Sequence, residues 1–237
     1  MTIRKAIILA AGKGERMRPY TNTCPKPLLP IGGKPLIEWT IARLKKVGVE
    51  EIIVNTSYLG DKIKKHFASA ASLYFSEEKE PLETGGGILN CLSFFEGEPF
   101  WVINGDSLWK DQNNETLQGL LKRWDAQKMD ILMSVINKPK AWGYSGSGDY
   151  LFSPAPFLKR NITKREVPWV NAGIHIFHPR IFRGALPKVF SNVHLYDAAE
   201  AQRRCYGLEH PGFWYHFSTP ADYDALSRQF LEDQINY

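Results

Sequence analysis

Arg16 and Lys26 sit in the stretch LAAGKGERMRPYTNTCPKPLLP, residues 9–30, which combines four prolines, two closely spaced glycines and four basic side chains with a single acid. Prolines at that density rule out a packed helix, and a simple connector has no need of the charges. Gly12 and Gly14 follow directly on the apolar run AIILA at 6–10, where backbone N–H groups can converge on an anion. Arg16 adds a planar guanidinium with several donors, and Lys26 a compact ammonium held between two prolines. Together they suit a polyphosphate; the competing reading is a proline-rich surface loop with solvated bases. Two common phosphate motifs are excluded. GGKP at 32–35 has proline where a P-loop needs Ser or Thr, and position 17 is Met where the dinucleotide fingerprint needs a third glycine.

Other residues invite chemistry more weakly. Asp106 closes the run FWVINGD, residues 100–106. A carboxylate at a strand end is a natural Mg²⁺ ligand, although Gly-Asp after a strand is also an ordinary turn. Asn55, near the end of EEIIVNT, reads equally as a turn residue or a ligand contact. No Ser/His/Asp or Cys/His nucleophile device stands out. His66, His175, His178, His194 and His210 lack metal-ligand spacing.

These residues need a scaffold, and the first half supplies its pattern. Strand-like runs (the all-apolar AIILA, then EEIIVNT, SLYFSEE, FWVING and DILMSVI) alternate with helix-like segments (PLIEWTIARLKKVG, YLGDKIKKHF, GGILNCLSFF, ETLQGLLKRWDAQ). This βαβα order predicts a Rossmann-like αβα sandwich, of class α/β, with a mostly parallel mixed sheet. In open α/β sheets ligands bind beyond the carboxyl ends of the strands, which is where the glycine loop, Asn55 and Asp106 fall. The second half is rich in Gly, Pro, Ser and aromatics. It predicts short, often antiparallel strands and long loops, with helices at DAAEAQRRC and PADYDALSRQFLEDQ. We read one domain over 1–237, with a first half (1–136) that carries the anion-holding loop and an acceptor-binding half (137–237). The basic cluster Lys159, Arg160, Lys164 and Arg165 reads as a solvated loop.

Composition bounds the rest. The 237 residues are 43% hydrophobic and 23% charged, with a net charge of +5, as in an ordinary soluble globular chain. The charge is too mild, and too little interleaved with aromatics, to indicate nucleic-acid binding. No stretch approaches the roughly 20 apolar residues of a membrane span, and the apolar start breaks at Gly12, too early for a signal peptide. Cys24, Cys91 and Cys205 form no CxxC pair or disulfide framework, so a cytoplasmic location is expected. Oligomeric state is not legible.

The opening stretch resembles, in full, the signature LAAGxGxRxxPxTxxxPKPxLP of sugar-1-phosphate nucleotidylyltransferases. PLETGGG at 81–87, NGD at 104–106, VNAG at 170–173 and FSTPADY at 217–223 agree with it. The chain is short, with no left-handed β-helix extension, and looks most like the N-acetylmuramate-1-phosphate uridylyltransferase type; mannose- and heptose-1-phosphate guanylyltransferases share that build. The resemblance implies a GT-A-like nucleotidyltransferase fold, an NTP and a sugar-1-phosphate as small-molecule partners, and Mg²⁺ as cofactor. It implies backbone contacts to the nucleotide from Ala11, Gly12 and Gly14. Arg16 would hold the β- and γ-phosphates, and Lys26 would sit by the α-phosphate and the acceptor phosphate. Glu83, Thr84 and Gly85 would face the base, with helix capping by Thr84 as the plain alternative. Asn171, in the family's NAG position, and Asp149, which also reads as a hairpin turn, would face the sugar.

One departure stands out. The family's DxGTP segment carries a second metal carboxylate, and here the run is WYHFSTP, which puts His216 in its place. A neutral imidazole can bind a metal but is a poorer match for Mg²⁺. Mn²⁺ at His216, Mg²⁺ held by Asp106 largely with phosphates and waters, or weakened activity all follow as readings, besides a histidine simply packed by Trp214. By overall resemblance UTP is the nucleotide, with GTP and CTP open. A nucleotide-sugar sensor is the alternative to an enzyme.

Overall fold

Apolar runs without alternating polar positions must bury both faces, and they do so in one central sheet. The computed structural model describes residues 2–232. Its first half runs β1 (Lys5–Leu9), the hairpin pair β2 (Pro30–Ile31) and β3 (Lys34–Pro35), α1 (Leu36–Lys46), β4 (Glu51–Thr56), α2 (Gly60–His66), β5 (Leu73–Glu77), α3 (Glu83–Asn90), β6 (Phe100–Asn104), β7 (Leu108–Lys110), α4 (Glu115–Arg123) and β8 (Ile131–Asn137). The second half adds β9 (Ala141–Trp142), β10 (Tyr150–Phe152), β11 (Leu158–Arg160), β12 (Trp169–Phe177), α5 (Val193–Ala201), β13 (Cys205–Glu209), β14 (Phe213–Tyr215) and α6 (Pro220–Glu232).

Strands β5, β4, β1 and β6 are parallel neighbours in that order. The long β12 then enters antiparallel between β6 and β8, and β13 lies parallel to β8. The sheet is thus mixed and mostly parallel, as the alternation predicts, and strands from both halves share it. Successive residues of β1 show why it needs two layers. Ala6 and Ile8 pack with Ile37 and Leu44 of α1, Ile63 of α2 and Leu117 of α4. Ile7 packs on the other face with Ile88 of α3 and Leu195 and Ala199 of α5.

A smaller sheet, β7-β14-β9, and α6 enclose a third apolar cluster. Met17 and Leu29 of the proline-rich loop are buried in it beside Phe217, Tyr223 and Leu226. The loop itself is a chain of three short 3₁₀ turns, at Glu15–Met17, Tyr20–Asn22 and Lys26–Leu28. Helix α6 clasps it. The Tyr223 hydroxyl donates to the Pro30 carbonyl at 2.8 Å, and the Tyr20 and Tyr223 rings meet edge-on with centroids 4.9 Å apart. The start of α6 is fixed by a reciprocal cap. Thr219 Oγ1 accepts from the Asp222 N–H, while Asp222 Oδ2 accepts from the N–H groups of Ser218 and Thr219, both at 3.0 Å. Loss of such a cap costs about 1 kcal/mol, so Thr219→Ala should lower Tm by roughly 2–4 °C in a chain of this size, as read by calorimetry.

Three helices depart from the sequence pattern, the one read over ETLQGLLKRWDAQ by stopping at Arg123. The glycine-rich helix starts at Glu83 rather than at the glycines, and ends at Asn90 before a separate 3₁₀ turn over Leu92–Phe95. DAAEAQRRC is helical only to Ala201. Arg203 takes a positive φ of 54°, and Cys205 then opens β13.

Candidate active site

The carboxyl ends of β1, β4 and β6 open into a cleft of about 740 Å³. Ala11, Gly12, Lys13, Gly14, Glu15 and Arg16 line one wall, and Glu78, Pro81, Glu83 and Thr84 the other. Gly14 holds φ +62° and so turns the chain into the first 3₁₀ turn, where its carbonyl accepts from the Met17 N–H and the Thr21 hydroxyl. That turn leaves Arg16 exposed, and among the described residues its guanidinium has no hydrogen-bond or ion-pair partner.

Lys26 is held differently. Its Nζ lies 2.6 Å from Asp106 Oδ2 and 2.9 Å from the Phe217 carbonyl, over the Phe217 ring. Two of its three protons are engaged, and one is left for a ligand. Asp106 is delivered by the turn after β6, where the Gly105 N–H bonds the Leu9 carbonyl at 2.8 Å. Burial pushes the Asp106 carboxyl up, but the Lys26 ammonium, by charge and hydrogen bond, and His216 outweigh it and hold it below the usual carboxylate range.

A second cavity of about 220 Å³ lies beside the first. Tyr144, Asp149, Asn171, Trp214 and His216 line it, and it shares Asn104 and Asp106 with the large cleft. Asp149 and Asn171, 22 positions apart, meet here: Asp149 Oδ2 accepts from the Asn171 N–H at 2.9 Å. The pairing of β12 with β8 shifts register between Asn171 and His175, and Gly173 in that bulge has φ +70°, where any side chain would strike Asn104 and Ser107. Asn171 Oδ1 accepts from the Gly173 N–H and faces His175 Nε2 at 2.8 Å. His175 itself is fully buried, and desolvation pushes its imidazole down to about 4.

His216 packs against Trp214 and Tyr144, with ring centroids 5.5 and 6.0 Å away. Burial first, then the Lys26 ammonium, lower its pKa, so the ring is neutral near pH 7. The site therefore offers one ionised carboxylate, whose side chain is 43% exposed, and one neutral imidazole. Among the described residues no three His, Cys, Asp or Glu side chains gather to hold a metal. That donor set fits a Mg²⁺ ion that takes most of its oxygens from phosphates and water, not a preformed protein cage.

The remaining sequence candidates fall as follows. Asn55 lines the cleft but is only 3% exposed, and both ends of its amide are engaged: Oδ1 accepts from the Ala10 N–H and Nδ2 donates to Glu78, each at 2.7 Å. Thr84 is not a helix cap; its Oγ1 accepts from the Asn192 N–H at 2.9 Å. Glu83 is exposed at the cleft with φ +57°, an uncommon conformation for a side-chain-bearing residue. Gly85 is buried behind them, with Phe190 where a Cβ would stand. In the basic cluster, Arg160 is paired with Asp197 at 2.6 and 2.7 Å. Sequence reasoning missed Glu78, Tyr144 and Ser107 as lining residues. Glu78 lies in the acidic run SEEKE, which carries no sign that one acid is buried.

The loop carrying Arg16 and Lys26 leaves the end of the first strand of a mixed sheet and lines the large cleft, and the second cavity lies beside it. The chain belongs to the nucleotidyl transferase family, whose model matches residues 5–189. It is 35% identical over 219 residues to an N-acetylmuramate alpha-1-phosphate uridylyltransferase of Neisseria meningitidis serogroup B, covering 89% of this chain and 91% of that one. It is 32% identical to the Caulobacter vibrioides protein of the same name, covering 91% and 92%. A UDP-glucose pyrophosphorylase from Acinetobacter baumanii shares the fold, with a TM-score of 0.80 at 16% identity over 99% of this chain and 95% of that one. No helix among the described residues is long and apolar enough to cross a membrane.

Proposed function

We propose that the chain joins an NTP to a sugar-1-phosphate, releasing pyrophosphate and an NDP-sugar, with UTP and N-acetylmuramate-1-phosphate as the leading pair. The observation that carries this reading is the meeting of the two cavities at Asp106, with the Lys26 ammonium 2.6 Å away. The triphosphate lies in the large cleft along residues 11–16, and the sugar lies in the smaller cavity against Asp149 and Asn171. The acceptor's phosphate oxygen attacks the α-phosphorus, and the bond from the α-phosphorus to its bridging oxygen breaks. The acceptor is already anionic, so no enzyme nucleophile is required and catalysis is positioning plus charge neutralisation. Arg16 neutralises the leaving pyrophosphate, and the third proton of Lys26 holds an α-phosphate or acceptor oxygen. Asp106, with His216 beside it, would hold Mg²⁺, or Mn²⁺, which supplies further neutralisation of phosphate charge when bound.

Pyrophosphate release across a grid of four NTPs and N-acetylmuramate-, mannose- and heptose-1-phosphates tests the reading. Turnover highest with UTP and N-acetylmuramate-1-phosphate supports it; a guanylyl preference moves the substrate pair. Binding of nucleotide with no turnover for any pair supports a sensor, the reading favoured by an imidazole where a carboxylate would bind metal better. His216→Asp should raise Mg²⁺-dependent turnover about tenfold if that position faces the metal. An unchanged Mg²⁺ titration would leave His216 as a packing residue.

A further inference from the structure

We propose that Glu78 is the positioning residue that ties the phosphate loop to the opposite wall of the large cleft, so that both walls meet a nucleotide at a fixed separation. This rests on the nucleotide reading above. Glu78 follows directly on β5, is 6% exposed and lines the cleft. Its Oε1 accepts from Asn55 Nδ2 at 2.7 Å and its Oε2 from the Leu82 N–H at 3.2 Å. Asn55 in turn accepts from the Ala10 N–H. The relay from Ala10 through Asn55 and Glu78 to Leu82 crosses the ends of β1, β4 and β5 in their sheet order. It joins the root of the glycine loop to the residue before Glu83 and Thr84.

The chemistry of each link requires an acid at 78. Asn55 must turn its oxygen to the Ala10 N–H, so its NH₂ faces Glu78. The Leu82 N–H is also a donor. Position 78 must therefore accept on both sides, which a carboxylate does and an amide does not. Buried among donors, this carboxylate fixes the two walls through charge-assisted bonds. A cleft held at the right width before the ligand arrives loses less binding energy to ordering.

Titration calorimetry with UTP and GTP on three variants of the full chain, with melting curves alongside, tests this. Glu78→Gln sets one donor against another and should weaken NTP binding about tenfold, leaving the KM for the sugar-1-phosphate unchanged. Asn55→Asp sets two carboxylates together and should do the same or worse. The double variant N55D/E78Q reverses the middle bond, since the new amide donates to the new carboxylate and still accepts from Leu82. It should restore NTP affinity to within about threefold of wild type, a coupling that only a direct pair gives. The proposal is overturned if Glu78→Gln lowers Tm but leaves NTP affinity unchanged, or if the double variant binds no better than the singles. Wild-type protein that binds NTP but releases no pyrophosphate would sink the transferase reading alone, because the relay is read from affinity. Wild-type protein that binds neither NTP would sink both.

Discussion

Arg16→Ala should reduce turnover about 100- to 1000-fold, the usual cost of losing one charged donor aimed at a developing negative charge. The side chain is exposed and has no partner among the described residues, so nothing in the fold depends on it. Stability should stay within about 0.5 kcal/mol of wild type, as for ordinary surface substitutions. Arg16→Lys should recover part of the rate, because an ammonium keeps the charge but not the planar fork. Steady-state pyrophosphate release and a thermal melt on the same preparation check both halves. Near-normal turnover in the alanine variant would remove Arg16 from the mechanism and return the loop to a solvated surface.

Lys26→Met should cost at least as much, roughly 1000-fold, since it removes a cation from the point where both cavities meet. Its consequences reach further than those at Arg16, because Lys26 also bonds Asp106 and the Phe217 carbonyl. Without the ammonium, burial is opposed only by weaker influences at Asp106, whose carboxyl pKa then rises. The acidic limb of the pH–rate profile should therefore move to higher pH in this variant. A profile that falls in height but keeps its acidic limb would show that Lys26 does not set the ionisation of Asp106.

Much of the scaffold was legible because parallel strands buried on both faces are written as unbroken apolar runs. Ile7 and Ile8 face different layers, yet both must be apolar. The glycine loop was legible for a similar reason, since its residue types make little sense as a connector. The second half was harder to read. Trp214 pairs with Trp109 on one side and Ala141 on the other, and strands of two or three residues joined over such distances leave no local period. Cys205 reads as the last residue of a helix until β8 is seen beside it. The meeting of Asp149 with Asn171 depends on a bulge in β12, and the burial of Glu78 depends on Asn55 needing an acceptor. Both are properties of tertiary neighbours.

The clasp between α6 and the proline-rich loop has a consequence for how the protein comes into being. A chain leaves the ribosome from its amino end, so Lys26 and Pro30 of the loop emerge long before Phe217 and Tyr223, whose bonds to them complete the loop's seating. The sheet can begin to assemble during synthesis, but Lys26 lacks the carbonyl that anchors it until Phe217, just before α6, is free of the exit tunnel. A nascent chain stalled short of Phe217 would carry the proline-rich loop with Lys26 still lacking that anchor.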